Sequence, residues 1–193
     1  MRKDMPCGIG QLNELVNLTG LAISGLENLS IEEAKEVNLK GMHGLNHLFL
    51  EWHNVVRYYN KRSLVSILKF DNNIYDTDSD HRNKCLNVNL KSRNILVDEE
   101  MMTKALQSLH PHSNLKDLHL CGFNGVRYPS WMDDPLFNQL TEVSLYKCGN
   151  KEISCLPMFG QLPSLQRLYL LRISHVKSIG DEFCCCNPNV LEF

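Results

Sequence analysis

The sequence predicts an α/β solenoid: a curved parallel sheet with short helices and loops on its convex side. Three observations predict it. The pattern L-x-x-L-x-L occurs at Leu45-Leu48-Leu50 and Leu115-Leu118-Leu120, and recurs at Leu140-Val143-Leu145 and Leu165-Leu168-Leu170. The last three copies are evenly stepped, starting at positions 115, 140 and 165, the signature of stacked repeats. Within each copy the apolar residues alternate with others, as Leu118 and Leu120 do around His119. On a strand that alternation turns the leucines inward and their neighbours outward. One such turn cannot cover its own leucines, so the core comes from stacking the next turn in parallel beside it. This is the leucine-rich-repeat solenoid.

The elements follow in chain order. A first copy lies around Leu15, Leu18, Leu21 and Ile23, and Gly10-Gln11-Leu12-x-x-Leu15-x-x-Leu18 echoes Gly160-Gln161-Leu162-x-x-Leu165-x-x-Leu168. Ser30 with Glu33 three positions on is a capping box that opens a helix, and Gly41 is placed to end it. The interval from the start at position 45 to the start at position 115 leaves room for nearly two extra turns. There Leu64, Val65, Ile67, Leu68 and Phe70 suit one irregular repeat. The polar, acidic stretch 71–94 reads as a mobile loop or insertion, although Leu86, Val88 and Leu90 alternate with Asn87 and Asn89 as a strand would. Asp98 is placed to cap a second helix through Leu109, with Met101, Met102, Ala105, Leu106 and Leu109 as its apolar face. The methionine pair reads as core, not as a cofactor site. The ninth position of the repeat, usually Asn or Cys bonded to the bend, is here His53, Phe123, Cys148 and Ile173. Only Cys148 obeys, which predicts irregular bends elsewhere. Val190-Leu191-Glu192-Phe193 reads as a strand cut short. The expected organisation is one repeat domain over 1–193, with an irregular insertion at about 53–97 and a truncated last repeat.

Composition narrows the function. A chain of 193 residues that is 43% hydrophobic and 22% charged suits one domain or a short repeat array, with enough apolar side chains for a core. Twenty basic residues against 22 acidic ones give a formal charge of -2, which argues against nucleic acid or an anionic membrane as partner. No stretch approaches the length of an apolar membrane span, and residues 1–11 lack an apolar signal core. The sequons at Asn17 and Asn28 therefore read as chance matches. The eight cysteines are scattered apart from Cys184-Cys185-Cys186. That triplet lacks zinc spacing and cannot close an unstrained local disulfide. Reduced thiols in a cytoplasmic compartment, or the nucleus, are expected.

Sharper motifs fail on inspection. Asp76-Thr77-Asp78-Ser79-Asp80 opens like a calcium loop, but His81 stands where Gly is needed and Asn87 where Glu is needed. His110-Pro111-His112 has no third metal ligand nearby in sequence. Gly8-Ile9-Gly10 lacks the preceding strand and third glycine of a dinucleotide site, and no serine lies in a G-x-S-x-G context. Palmitoylation of the cysteine triplet has no flanking basic or amphipathic anchor to support it. The expectation is a protein that is not an enzyme and holds no cofactor and no metal.

Several stretches carry a family likeness. Met5-Pro6-x-Gly8-Ile9-Gly10-Gln11-Leu12 opens it. Leu26-Glu27-Asn28-Leu29 followed by Glu33-Ala34-x-x-Val37-Asn38-Leu39-Lys40 matches "LENV…EEAxxANLK". Gln107 to Lys116 matches "LQPHxNLKxL", and Tyr128-Pro129-Ser130-Trp131-Met132 matches "FPSWM". Leu156-Pro157 with Gly160-Gln161-Leu162-Pro163-Ser164-Leu165 matches "LPPLGQLPSL", and Val176 to Phe183 matches "VKxIGxEF". In this order the stretches resemble the leucine-rich-repeat region of plant nucleotide-binding leucine-rich-repeat disease-resistance proteins, in the subclass with an N-terminal coiled coil. They cover roughly 5–52 and 98–183. Cys184-Cys185-Cys186 depart from the family, which has an aromatic and a glycine there.

The resemblance implies a recognition and autoinhibitory module of an intracellular immune receptor. Its implied partner is a pathogen effector, a guarded host protein or the parent's nucleotide-binding domain. The chain has no G-x-x-x-x-G-K-[ST] loop, so it is not itself the switch, and it reads as part of a longer receptor. The alternative is a general repeat adaptor, such as the substrate arm of a ubiquitin ligase, although no F-box-like segment precedes the repeats. Extracellular receptor repeats would need a signal peptide and "NxLxGxIP" motifs.

Partner contacts are expected on the concave strand face. The candidates are His47, Phe49 and Glu51 on the first full copy, and Asp117 and His119 on the next. Ser144 and Tyr146 follow, then Arg167, Tyr169 and Leu171. Phe49, Tyr146 and Tyr169 read as exposed aromatic anchors, a residue class that concentrates binding energy at interfaces.

Overall fold

Each leucine copy becomes a short strand, and the alternating asparagine segment becomes another. The computed structural model describes residues 9–15, 17–52, 85–90, 98–153, 155–174 and 176. The strands are β1 (Gly20–Ser24), β2 (His47–Glu51), β3 (Cys85–Asn89), β4 (Asp117–Cys121), β5 (Glu142–Tyr146) and β6 (Arg167–Leu171). They form one parallel sheet in the order β3-β1-β2-β4-β5-β6. Several readings fall outside the described residues: the apolar run 64–70, the calcium-like run 76–80, His53, the stretch 177–183, Cys184 to Cys186 and the strand-like 190–193.

The strand order changes the reading of the long interval. The chain between the starts at positions 45 and 115 does not insert turns between β2 and β4. Those two strands pair directly, His47 opposite Asp117 and Leu50 opposite Leu120. The strand from the acidic stretch instead adds to the far edge, Leu86 opposite Leu21 and Val88 opposite Ile23. Its alternating apolar side chains find a partner row there, so the strand that the alternation of Leu86, Val88 and Leu90 allows forms, at the edge of the sheet. Leu90 N donates to Ser24 O, and a Cβ added to Gly25 would meet the Leu90 carbonyl oxygen at 2.8 Å. Glycine lets the two bends touch.

Strand pairing also corrects the register of the first repeat. Gly20 takes the ladder position of His47, Asp117, Glu142 and Arg167. Leu18 therefore corresponds to Leu165, and the glycine-glutamine-leucine echo runs out of step. Leu18 is buried, while Leu15 is 37% exposed.

The bends are more regular than the ninth-position residues predicted. β1, β4, β5 and β6 are each followed directly by a left-handed residue: Gly25 (φ 84°), Gly122 (φ 75°), Lys147 (φ 50°) and Arg172 (φ 55°). Trp52 after β2 is not left-handed. Its N–H nevertheless makes the same bond to the next repeat, Trp52 N donating to Cys121 O, as Gly122 N does to Tyr146 O. The Cys148 thiol behaves as expected, lying 3.4 Å from Leu120 O and 3.5 Å from Tyr146 O. Phe123, in the same position one repeat earlier, is fully buried and packs edge-to-face on Trp52 at 5.2 Å.

Among the described residues two α-helices lie behind the sheet. α1 (Ile31–Glu36) begins with the expected capping box: Glu33 N donates to Ser30 Oγ at 3.2 Å, and Ser30 N donates to Glu33 Oε2 at 3.0 Å. It ends before Gly41, because Asn38 turns left-handed (φ 48°) and a 3-10 turn covers Leu39–Gly41. α2 (Glu99–Ser108) begins at Asp98, whose carboxylate accepts from Glu100 N at 3.0 Å, and it packs against α1. Met102, Ala105, Leu106 and Leu109 face the core as expected, whereas Met101 is 41% exposed. Thr103 takes the extra inward place, and its hydroxyl accepts from Val126 N at 2.9 Å. Trp131 ties the next repeat to this helix, its indole N–H donating to Leu106 O at 3.1 Å.

Candidate protein-recognition surface

Parallel pairing in register aligns the outward residues of neighbouring strands into rows. The first row runs His47, Asp117, Glu142, Arg167, and the second runs Phe49, His119, Ser144, Tyr169. The third runs Glu51, Cys121, Tyr146, Leu171. All ten candidate residues read from the sequence thus share one face. The rows extend beyond the ten candidates to Ser24 on β1 and to Asn87 and Asn89 on β3. Alternation with Leu21 and Ile23 marks Ser24 as outward; only the sheet order makes it a neighbour of Glu51.

The first row holds a histidine–carboxylate contact and an arginine–glutamate ion pair. His47 Nδ1 pairs with Asp117 Oδ2 at 2.5 Å, and Arg167 Nε donates to Glu142 Oε2 at 2.6 Å. Burial works to raise the Asp117 carboxyl, but the hydrogen bond and charge of His47, His119 and the Thr141 hydroxyl hold it below its usual range. The Arg167–Glu142 pair outweighs partial burial and raises the guanidinium further. Arg167 is half exposed, so its pair contributes little stability and is open to exchange with a partner's charge.

The second row is less open than the sequence suggested. His119 and Ser144 are buried, and His119 Nε2 lies 3.9 Å from Glu142 Oε1. Burial pushes His119 down to about 4, with Asp117 opposing and His47 adding to the drop. Ser144 Oγ has no hydrogen-bond partner among the described residues. A serine without a bonded base, beside so weakly basic a histidine, is not an activated nucleophile. Phe49 is half-buried, and Tyr169 is 38% exposed.

The third row corrects an expectation. Tyr146 is only 3% exposed, packed with Cys121 against Phe49 and Leu171, so it is not an open anchor. Neighbouring strands lie close enough for outward side chains in the middle of the sheet to cover one another. Glu51 is buried as well and accepts from Ser24 Oγ at 2.6 Å. The Cys121 thiol is pushed up to about 12 by burial, with Glu51 and Cys148 adding and Lys147 opposing, so it stays protonated. Among the described residues no three His, Cys, Asp or Glu side chains are grouped to hold a metal.

Comparison with known proteins agrees with this geometry. A family model described as R13L1/DRL21 leucine-rich repeats matches residues 78–173. The chain is 31% identical over 169 residues to a putative disease resistance protein, RGA1, of Solanum bulbocastanum, covering 86% of this chain and 15% of that protein. It is 30% identical over 164 residues to disease resistance protein RGA2 of the same species, covering 83% and 13%. A putative RPP13-like disease resistance protein of Arabidopsis thaliana is 31% identical over 80 residues, covering 42% and 7%. No solved structure matches significantly. The chain thus spans about a seventh of the length of the first two relatives. With its evenly stepped ladder, its buried leucine rows and these relatives together, the chain belongs to the leucine-rich-repeat region of plant disease-resistance proteins, with its R13L1/DRL21 repeats at residues 78–173.

Proposed function

We propose that this chain is a non-catalytic recognition and autoinhibitory module of an intracellular plant immune receptor, acting in the cytoplasm. Its concave face would bind a pathogen effector, a host protein or the nucleotide-binding domain of the receptor it serves. The observation that carries this reading is the open corner of that face. Arg167, Tyr169 and Leu171 stand side by side on β6. They combine a charge held by an exposed pair, an exposed aromatic and a half-buried leucine. An aromatic and an arginine beside apolar surface is the composition that concentrates binding energy in protein interfaces. Disease-resistance relatives supply the receptor context. No described helix is long and apolar enough to cross a membrane.

The test is co-expression with the nucleotide-binding region of a related receptor, followed by co-purification. The wild-type chain is expected to be retained. Arg167→Glu with Tyr169→Ala is expected to weaken retention at least about tenfold, the scale of one lost interface anchor. Failure of the wild type to associate, with the chain monomeric and folded, overturns the autoinhibitory part and favours the general adaptor reading.

A further inference from the structure

We propose that the junction between β2 and β4 is an acid-opened seam, built from histidines that face one another across it. All five histidines among the described residues, His43, His47, His110, His112 and His119, lie on the two repeats that meet there. None lies on the described parts of the repeats of β1, β5 or β6.

The contacts of His43, His112 and Asn114 cross the seam. The rings of His43 and His112 meet edge-to-face with centroids 4.4 Å apart, although they lie far apart in sequence. His112 Nδ1 accepts from Asn114 N at 3.1 Å, and Asn114 Nδ2 donates to His43 O at 2.8 Å. That acceptor role requires an unprotonated Nδ1, so a proton there removes the bond and sets a charge against a second imidazole. Burial and then His43 both hold His112 below its ordinary value. His110 stacks its ring on the β5 side, against Trp131 and Phe137, and it too is held down, by burial and by the charge of Lys40 from the β2 repeat, with Asp134 opposing. On the concave side His119 is buried among Asp117, His47 and Glu142. The His47–Asp117 pair is the one contact here that a proton on His47 strengthens.

Four of the five histidines therefore either resist a proton or touch one that does. A seam held by neutral imidazoles opens when they protonate, because the open state binds protons that the closed state excludes. The equivalent place at the β5–β6 junction is held by groups that stay in one state near neutral pH. There Ser164 Oγ donates to Asn138 O, and Arg167 pairs with Glu142. The device divides the solenoid into two blocks: β3-β1-β2 and β4-β5-β6.

Native-state hydrogen exchange on the full chain reads it directly. The seam amides are Trp52, bonded to Cys121 O, and Lys116 and Asp117, both bonded to Asn46 O. The comparison amides are Lys147, bonded to Leu171 O, and Arg167, bonded to Thr141 O. Between about pH 7.5 and about pH 5, with intrinsic exchange divided out, the seam amides are expected to lose at least about tenfold more protection than the comparison amides. In the triple variant His43→Gln, His112→Asn, His119→Gln, the excess is expected to disappear. The His112→Asn change keeps an acceptor for Asn114 N without the titrating nitrogen. Equal loss at both junctions in the wild type overturns the proposal even if the variant does not fold, and so does an undiminished excess in a folded variant.

Discussion

The stack from β4 to β6 and the seam between β2 and β4 use one ladder in two ways. In the stack, successive strands follow at an even step, each bend turns left-handed, and no described histidine beyond β4 takes part. At the seam the same register is kept across a far longer connection, with Trp52 outside the left-handed region and histidines on both sides. The difference teaches that register in this solenoid belongs to the strand faces and not to the length of the connection. Closing a longer loop adds only a slowly growing entropy, while a one-residue slip would turn every leucine outward. The long interval is tolerated because Leu48 and Leu50 still find Leu118 and Leu120.

The largest expected effect separates the two regions. Trp52 is fully buried and reaches across the seam to Phe123, whereas Phe159 is fully buried within the stack. Trp52→Ala and Phe159→Ala each remove about 3–5 kcal/mol by leaving a large cavity. Trp52→Ala is expected to split urea unfolding into two transitions as the blocks decouple, while Phe159→Ala leaves the β3-β1-β2 block unchanged. One shared transition in both variants would break the distinction.

Acid comes next. His119 falls from 6.5 to about 4 on folding, so below pH 6.5 the unfolded chain binds a proton that the folded chain refuses. This stability is present in full above about pH 6.5, falls as pH drops toward about 4, and amounts to about 3 kcal/mol in order of magnitude. Asp117, held below its ordinary 3.8, contributes stability that is lost only as pH falls further. His119→Gln is expected to flatten the fall above pH 4 in thermal melts; an unchanged slope would remove His119 from the acid response.

The smallest effect sharpens the back of the seam. Ser30→Ala breaks the capping box of α1, which packs against α2, and is expected to remove about 1 kcal/mol. Calorimetric melting would show a modest drop, and exchange in residues 31–36 would quicken before that at β5 or β6.

Much of this was legible because the reporting residues act locally. Ser30 and Glu33 sit one helical turn apart, Asp98 directly precedes its helix, and Leu118 and Leu120 face inward by strand geometry alone. The candidate face was legible for the same reason, since whatever alternates with a buried leucine must point the other way. Its openness was not. Tyr146 reads as an exposed aromatic in one dimension and is buried in a cluster with Cys121, flanked by Phe49 and Leu171, whose members come from four strands. Met101 reads as core by periodicity, yet Thr103 holds the inward place through its bond with Val126 in the following repeat.

The sequence by itself determined the repeat, its strands, both helix starts and the row of residues on the concave side, because periodicity and capping need only neighbours along the chain. The tertiary structure decided which strands are adjacent. It put β3 at the edge beside β1, brought His43 to His112, and set Gly20 opposite His47 where the glycine-glutamine-leucine echo pointed elsewhere. Pairing depends on complementary apolar rows meeting in space, and a chain returning from a long excursion can take any open edge whose leucines remain uncovered.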